Sequence, residues 1–229
     1  MLSDGSEITL NTRSIVSVDM LRDARIVRLL DGEAWFNVHH DSRTFRVVAG
    51  DILLEDEGTT FNVYKHSHGT TITVIEGRLR ISLDADRMRI DWQESAGAPA
   101  IHSRTLSMVL QAGEQVEIGR ETGGDVFSKR TLTARQLEVA IEWRSGRIDF
   151  DGVSLSAAVE QMNRYTTRRI VIADPALLNY YISGSFGTLT NDTESFPAVL
   201  QTVFGVRVVS NPADPTVIQL VGPTSPRLE

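Results

Sequence analysis

No cysteine occurs in the 229 residues. Disulfides, thiolate nucleophiles and zinc–thiolate sites are therefore all excluded. The absence fits an oxidising compartment, but cytosolic chains share it, so it assigns no location alone. No stretch approaches the roughly 18 consecutive apolar residues that a membrane-crossing helix needs. The N-terminus lacks a basic start followed by an apolar run, so no signal peptide is expected. Positive charge is also scarce. Lysine and arginine total 23 against 30 acidic residues, a net charge of −7, and lysine stands only at Lys65 and Lys129. Without a basic footprint, nucleic-acid binding is not expected. The sequence has no G-x-S-x-G, H-E-x-x-H, phosphate loop or dinucleotide fingerprint. No catalytic residue, metal site or cofactor is expected, and the protein does not read as an enzyme.

What is present divides into two rhythms. Residues 1–143 carry 16 basic and 22 acidic residues, while 144–229 carry 7 and 8. Up to about residue 128 the chain is a series of short strands. Ile8 and Leu10 open it. Ile26 to Leu30, then Ala34, Phe36 and Val38, read as two separate strands. Ile15, Val16 and Val18 come before these two; Phe45 and Val47, Ile52 and Leu54, Phe61 and Val63, Ile72 and Val74, Leu79 and Ile81, Met88 to Trp92, Leu106 to Leu110, and Val116 and Ile118 continue it. Apolar and polar residues alternate in much of the series, the period of a half-buried strand. Glycine punctuates it at Asp31-Gly32, Gly50-Asp51, Glu57-Gly58, Glu76-Gly77 and Ala112-Gly113, where tight corners are expected. The irregular spacing makes only a weak repeat, in a solenoid or a sandwich. The stretch 94–99 reads as a loop.

Near residue 129 the rhythm changes. Thr133 and Gln136 have capping-box spacing, and Leu137, Ala140 and Ile141 share one helical face, which predicts a helix over 133–142 in a linker at 129–143. Beyond it the order reads β-α-β-β-α-β-β. A strand covers 147–150. Ser154 caps a helix with Leu155, Val159 and Met162 on its buried face. Strands follow at 170–172 and 180–186. A second helix opens at Thr193, with Pro197 in its first turn and Phe196, Val199, Leu200 and Val203 inward, and Gly205 ends it. Strands at 206–209 and 217–221 close the chain. One small sheet with both helices on one face is expected.

These residues resemble a known family. Asp4-Gly5-Ser6 with Leu10-Asn11 and Ser14, the segment 32–38 (GEAWFNV), the segment 58–63 (GTTFNV), the segment 74–79 (VIEGRL) and Ala112-Gly113-Glu114-Gln115 look like successive motifs of a FecR domain. The segment 143–150 (WRSGRIDF) resembles the family's junction with its C-terminal module, and 144–222 looks like an STN domain, the small module shared by secretins and TonB-dependent transducers. The resemblance spans nearly the whole chain. It implies a multi-domain protein: an all-β, twisted solenoid-like domain at 1–128, the helical linker at 129–143, and an α+β STN-like domain of order βαββαββ at 144–222. It also implies the periplasmic, signal-receiving region of an inner-membrane anti-sigma regulator. Such a regulator binds the N-terminal signalling domain of a TonB-dependent outer-membrane transducer, often a ferric-siderophore receptor. It controls its sigma factor through a cytoplasmic segment, which these residues do not include, nor do they include the membrane anchor.

Several side chains are candidates for contact. Tyr180, Tyr181, Ile182 and Ser183 lie on a strand of a small sheet whose edge can accept a partner strand, and tyrosine is enriched at interface hot spots. The competing reading packs one tyrosine under a helix. Arg168 and Arg169 would steer an acidic partner, or simply solvate the end of the first helix. His66 and His68 would share a strand face as half of a metal site. Of the other histidines, His39, His40 and His102, none completes it at a local spacing. Trp35 and Trp92 are candidates for glycan stacking if the β-domain binds an envelope ligand directly. Glu55, Asp56 and Glu57 offer paired carboxylates for a polysaccharide hydrolase, or a solvated acidic turn.

Overall fold

The computed structural model describes residues 1–56, 58–84, 105–121, 124–188 and 195–222. The expected strand at 88–92 with Trp92, the loop at 94–99, and Glu57, His102 and Thr193 lie outside the described residues. The chain divides into two compact units, Met1–Ile141 and Glu142–Glu229.

Strand after strand of alternating residues makes the first unit β-rich up to Thr131, as expected. Its strands are β1 (Glu7–Leu10), β2 (Ile15–Met20), β3 (Arg25–Asn37), β4 (Phe45–Ala49), β5 (Ile52–Asp56), β6 (Thr60–His66), β7 (Gly69–Glu76), β8 (Arg78–Asp84), β9 (Thr105–Gln111), β10 (Glu114–Glu121) and β11 (Gly124–Thr131). All eleven join one curled sheet organised around β3. The first half of β3 pairs with β2 and, in parallel, with β4; its second half pairs with β1 and β6. Successive hairpins then alternate between the two halves. The pairs β4–β5 and β8–β9 extend one side, while β6–β7 and β10–β11 extend the other. The glycine corners at Gly58, Gly77 and Gly113 are where the chain crosses from side to side. The sequence signal that looked like an irregular repeat is thus the crossing step.

The two strands expected at 26–30 and 34–38 are one. Asp31-Gly32 is not a turn but the point where β3 passes from one half of the sheet to the other. Gly32 holds φ at +82°, and a Cβ there would sit 2.7 Å from the Ser14 Cα, so only glycine fits both the angle and the approach. The inward residues of both halves, Val27, Leu29, Phe36, Phe45, Val47, Leu54, Phe61, Val63, Ile72, Val74, Leu79 and Ile81 among them, form one core. Phe36 stacks on Phe61 with ring centroids 4.9 Å apart and meets Phe45 edge-on at 6.3 Å.

A buried polar knot accompanies that core. Glu33 accepts hydrogen bonds from Asn11 Nδ2 (2.7 Å) and Asn62 Nδ2 (2.9 Å), while its own amide donates to Ser14 Oγ (2.8 Å). Asn62 of the GTTFNV segment therefore serves a neighbouring strand. Removing it leaves a buried carboxylate short of a donor. The substitution Asn62→Ala is expected to cost about 1–3 kcal/mol, read as a lowered denaturant midpoint with unchanged slope.

The segment from residue 129 is not all linker. Residues 129–131 finish β11, and the first helix, α1 (Ala134–Ile141), belongs to the first unit by its contacts. Its capping box forms as read: the Gln136 amide donates to Thr133 Oγ1 (3.3 Å) and the Thr133 amide to Gln136 Oε1 (2.9 Å).

The second unit has the expected element order but not the expected single sheet. β12 (Arg147–Ser154) pairs with β14 (Tyr181–Gly187) as a two-stranded sheet. β13 (Arg169–Ile172), β16 (Asp214–Val221) and β15 (Arg207–Asn211) form a separate three-stranded one. Helix α2 (Leu155–Met162) packs against β12 and β14 of the first and β13 of the second, so one core is built between two small sheets. Ser154 caps α2 through its hydroxyl. Helix α3 (Ser195–Phe204) buries Phe196 and Leu200, but Val203 is 68% exposed. The buried stripe runs 196, 200, 204, one heptad edge away from the expected face, with Phe204 half-buried against the core in place of Val203.

Candidate partner-binding surface

The exposed end of β14 carries the strongest local signal. Tyr180, just before the strand, is 45% exposed and Tyr181 is 69% exposed. Neither packs under a helix, which overturns the bland reading of this pair. Ile182 between them and the core is 2% exposed and anchors the strand; its side chain is in the second core. Ser183 is exposed, and its hydroxyl accepts from the Gly152 amide at a bulge in β12 (2.9 Å). Sequence reasoning missed Leu178, 43% exposed two residues before Tyr180; the only signal for it was an apolar residue in a short turn after Pro175. Among the described residues β14 pairs with β12 alone, so its other edge keeps unpaired peptide groups.

The arginine pair sits differently from expectation. Helix α2 ends at Met162, with Asn163 as its C-cap, so Arg168 and Arg169 are not a helix end. Arg168 is half-buried and donates to the Pro215 carbonyl (3.1 Å) and Ser210 Oγ (3.1 Å), which ties the β15–β16 hairpin down. Arg169 opens β13 and is exposed. The structure does not bring these two to the tyrosines through any hydrogen bond or ion pair.

Other candidates resolve into structure. Trp35 is 6% exposed inside the first unit, so it offers no open face for a sugar ring. His66 ends β6 and His68 lies in the β6–β7 turn, with ring centroids 6.5 Å apart. No group of three metal-ligating side chains gathers among the described residues. Glu55 pairs with Arg46 (3.0 Å), and the Asp56 carboxylate is buried and accepts from the Thr59 amide (3.0 Å). The acidic turn is therefore a built corner rather than a solvated one.

The first motif of the sequence also closes on itself. Arg25 has a side chain 0% exposed and Asp4 one 1% exposed, and Arg25 Nη1 donates to Asp4 Oδ2 at 2.6 Å. The remaining guanidinium donors reach the carbonyls of His39 (2.9 Å) and Arg43 (2.7 and 3.0 Å), and the group lies 5.2 Å from the Phe45 ring. Ser6 donates to Asp4 by both hydroxyl (2.7 Å) and amide (3.1 Å), and receives the His39 amide (3.0 Å). Burial pushes the Asp4 carboxyl up, but the bonds from Arg25 and Ser6 outweigh it and hold it below its ordinary value. Asp4-Gly5-Ser6 is thus an N-terminal clasp.

The family model described as FecR protein matches residues 1–80. Over that first third of its length the chain is similar to FecR proteins. The match covers the FecR clasp, the Glu33 knot and every strand from β1 to β7, with the start of β8. Beyond the FecR segment, two crystal structures from Parabacteroides distasonis, both provisionally described as anti-sigma factors, share the fold. One superposes with a TM-score of 0.72 at 21% identity, covering 97% of this chain and 93% of its own. The other gives 0.70 at 23% identity, covering 98% and 92%. No curated protein matches the chain. At these identities the likeness is one of fold, and it extends through the second unit.

Proposed function

We propose that this chain is a FecR-family protein, the periplasmic, signal-receiving region of an inner-membrane anti-sigma regulator. In this reading residues 144–222 are an STN-like domain that binds the N-terminal signalling domain of a TonB-dependent outer-membrane transducer. The signal then reaches a sigma factor through a cytoplasmic segment outside this sequence, in the control of ferric-siderophore uptake. The chain acts by binding and not by catalysis. The FecR match over the first 80 residues supports the regulator class, and the anti-sigma description of the two Parabacteroides proteins of the same fold agrees with it.

The observation that carries the partner surface is the open β14 edge flanked by two exposed tyrosines. A strand added there gains main-chain hydrogen bonds, and the phenol rings supply rigid contact area at small entropic cost. Arg169 adds a cation on a neighbouring sheet of the same unit. The test is calorimetric titration of the chain with a purified transducer signalling domain from the same genome. Binding is expected, and Tyr181→Ala should weaken it at least about tenfold, the cost of removing a hot-spot aromatic. Undiminished binding by a Tyr180→Ala/Tyr181→Ala protein moves the interface elsewhere. No binding to any transducer domain, with both proteins folded, removes the transducer from the reading.

A further inference from the structure

A cavity of about 660 Å³ opens in the first unit, where the start of β8, the end of β5 and the β3–β4 connection meet; it is lined by Thr44, Asp56, Thr59, Arg78, Arg80 and Val109 among others. That volume lies within the roughly 300–1,000 Å³ of small-ligand sites. The β14 edge plays no part in it.

Its walls have an uneven charge. Arg78 and Arg80 are alternate residues of β8, so both project from the same face while Leu79 and Ile81 fill the core. They stand about 7 Å apart at the backbone, and both are exposed. Across the sheet one row runs Arg46, Glu55, Arg80, Val109 in register. Arg46 takes Glu55 at 3.0 Å. Among the described residues neither Arg78 nor Arg80 makes an ion pair; the carboxylates that share the lining with them are the buried Asp56 and Glu55, the latter already held by Arg46, on a protein of net charge −7.

The floor is fixed. Asp56 receives the Thr59 amide (3.0 Å), and Thr59 Oγ1 donates to the Arg78 carbonyl (2.9 Å). Gly77 holds φ at +82°, and a Cβ there would come within 3.0 Å of Thr59 Oγ1. The corner therefore holds the root of Arg78 in place without spending its guanidinium. Exposed, unneutralised arginines on a rigid strand present planar, two-pronged donors suited to carboxylate and phosphate oxygens. Among the described residues no phenylalanine, tyrosine or tryptophan lines the space, so none of them stacks on a neutral sugar there.

We infer that this cavity binds a small anionic ligand, a carboxylate- or phosphate-bearing sugar, through Arg78 and Arg80, giving the first unit an input separate from the partner surface of the second.

The test titrates the full chain with glucuronate, with glucose 6-phosphate and with neutral glucose, by calorimetry and by following the Arg78 and Arg80 side-chain N–H signals in NMR. At least one anion is expected to bind, with glucose silent; which anion binds distinguishes a carboxylate source from a phosphate source. Raising the salt should weaken the binding. Two variants report on the site: Arg78→Gln/Arg80→Gln removes the cations, and Val109→Trp fills the space from an exposed position while leaving both arginines. Each should weaken binding at least about tenfold with the fold intact by circular dichroism. Equal binding of glucose, no binding of either anion at millimolar concentration, or binding that survives either variant overturns the assignment. Because the readout needs no transducer, its failure is independent of the failure of the transducer reading.

Discussion

Replacing Arg25 with alanine is expected to destabilise the first unit by about 3–5 kcal/mol, the cost of leaving a buried charge without its partner. Domains hold only about 5–15 kcal/mol in all, so the variant should sit near the edge of folding. Both side chains of the Arg25–Asp4 pair are out of water, so solvent does not screen the loss. The guanidinium also serves three acceptor contacts on the His39 and Arg43 carbonyls, which the truncation orphans together. Asp4→Asn keeps the shape and loses the charge, and should cost less. A double replacement with apolar residues of similar volume, Arg25→Met with Asp4→Leu, should recover much of the Arg25→Ala loss, because it removes both buried charges at once. Denaturant midpoints read by near-ultraviolet circular dichroism decide it. A loss under about 1 kcal/mol for Arg25→Ala would mean that the clasp is ornamental.

The same pair gives the pH dependence its sign. The Asp4 carboxyl is held below its ordinary value in the folded chain. The unfolded chain therefore takes up the proton first as pH falls. The clasp contributes its full stability above about pH 4, the unfolded value, and loses it as pH drops through the lower, folded value. Acid unfolding should accordingly begin at a higher pH in any variant that weakens the hold of Arg25 or Ser6. Asp41 is also held low by Arg43, but this half-buried pair lies within reach of solvent and contributes little.

Phe196→Ala is expected to cost about 3–5 kcal/mol in the second unit, the usual loss for a buried aromatic cut to a methyl group. Phe196 is fully buried and closes a triad with Phe186 (5.0 Å, edge-on) and Phe150 (6.1 Å); Phe150 and Phe186 lie 5.5 Å apart. The triad joins α3 to both strands of the β12–β14 sheet. Its loss should therefore free the strand that presents Tyr181 and, on the proposed reading, abolish transducer binding along with stability. Hydrogen exchange of the β14 amides is the check. Protection that survives the substitution would show that the sheet is held by something other than the triad.

The sequence by itself determined most of the elements and the likeness of the first 80 residues to FecR proteins. Alternation located nearly every described strand of the first unit, because each buries one face and wets the other. Glycine marked the corners, because few other residues take those backbone angles. The capping pairs at Thr133–Gln136 and Ser154–Ala157 were legible because they are local hydrogen bonds between near neighbours. The FecR-like motifs up to residue 79 stood in order along the chain, and the 1–80 match agrees with those.

Only the tertiary structure decided what those motifs are for. Asp4 and Arg25 are 21 residues apart, and Glu33 and Asn62 are 29 apart; nothing in periodicity announces that a polar residue will be buried against a distant partner. The single long β3 was hidden because Asp31-Gly32 spells a turn, while the pairing on both sides of the strand keeps it extended. The second unit's one expected sheet became two because α2 packs between them, a choice made by the core and not by any strand alone. Both tyrosines lie open for the same kind of reason: Ile182 supplies the burial that β14 needs, so its flanking rings are left to solvent.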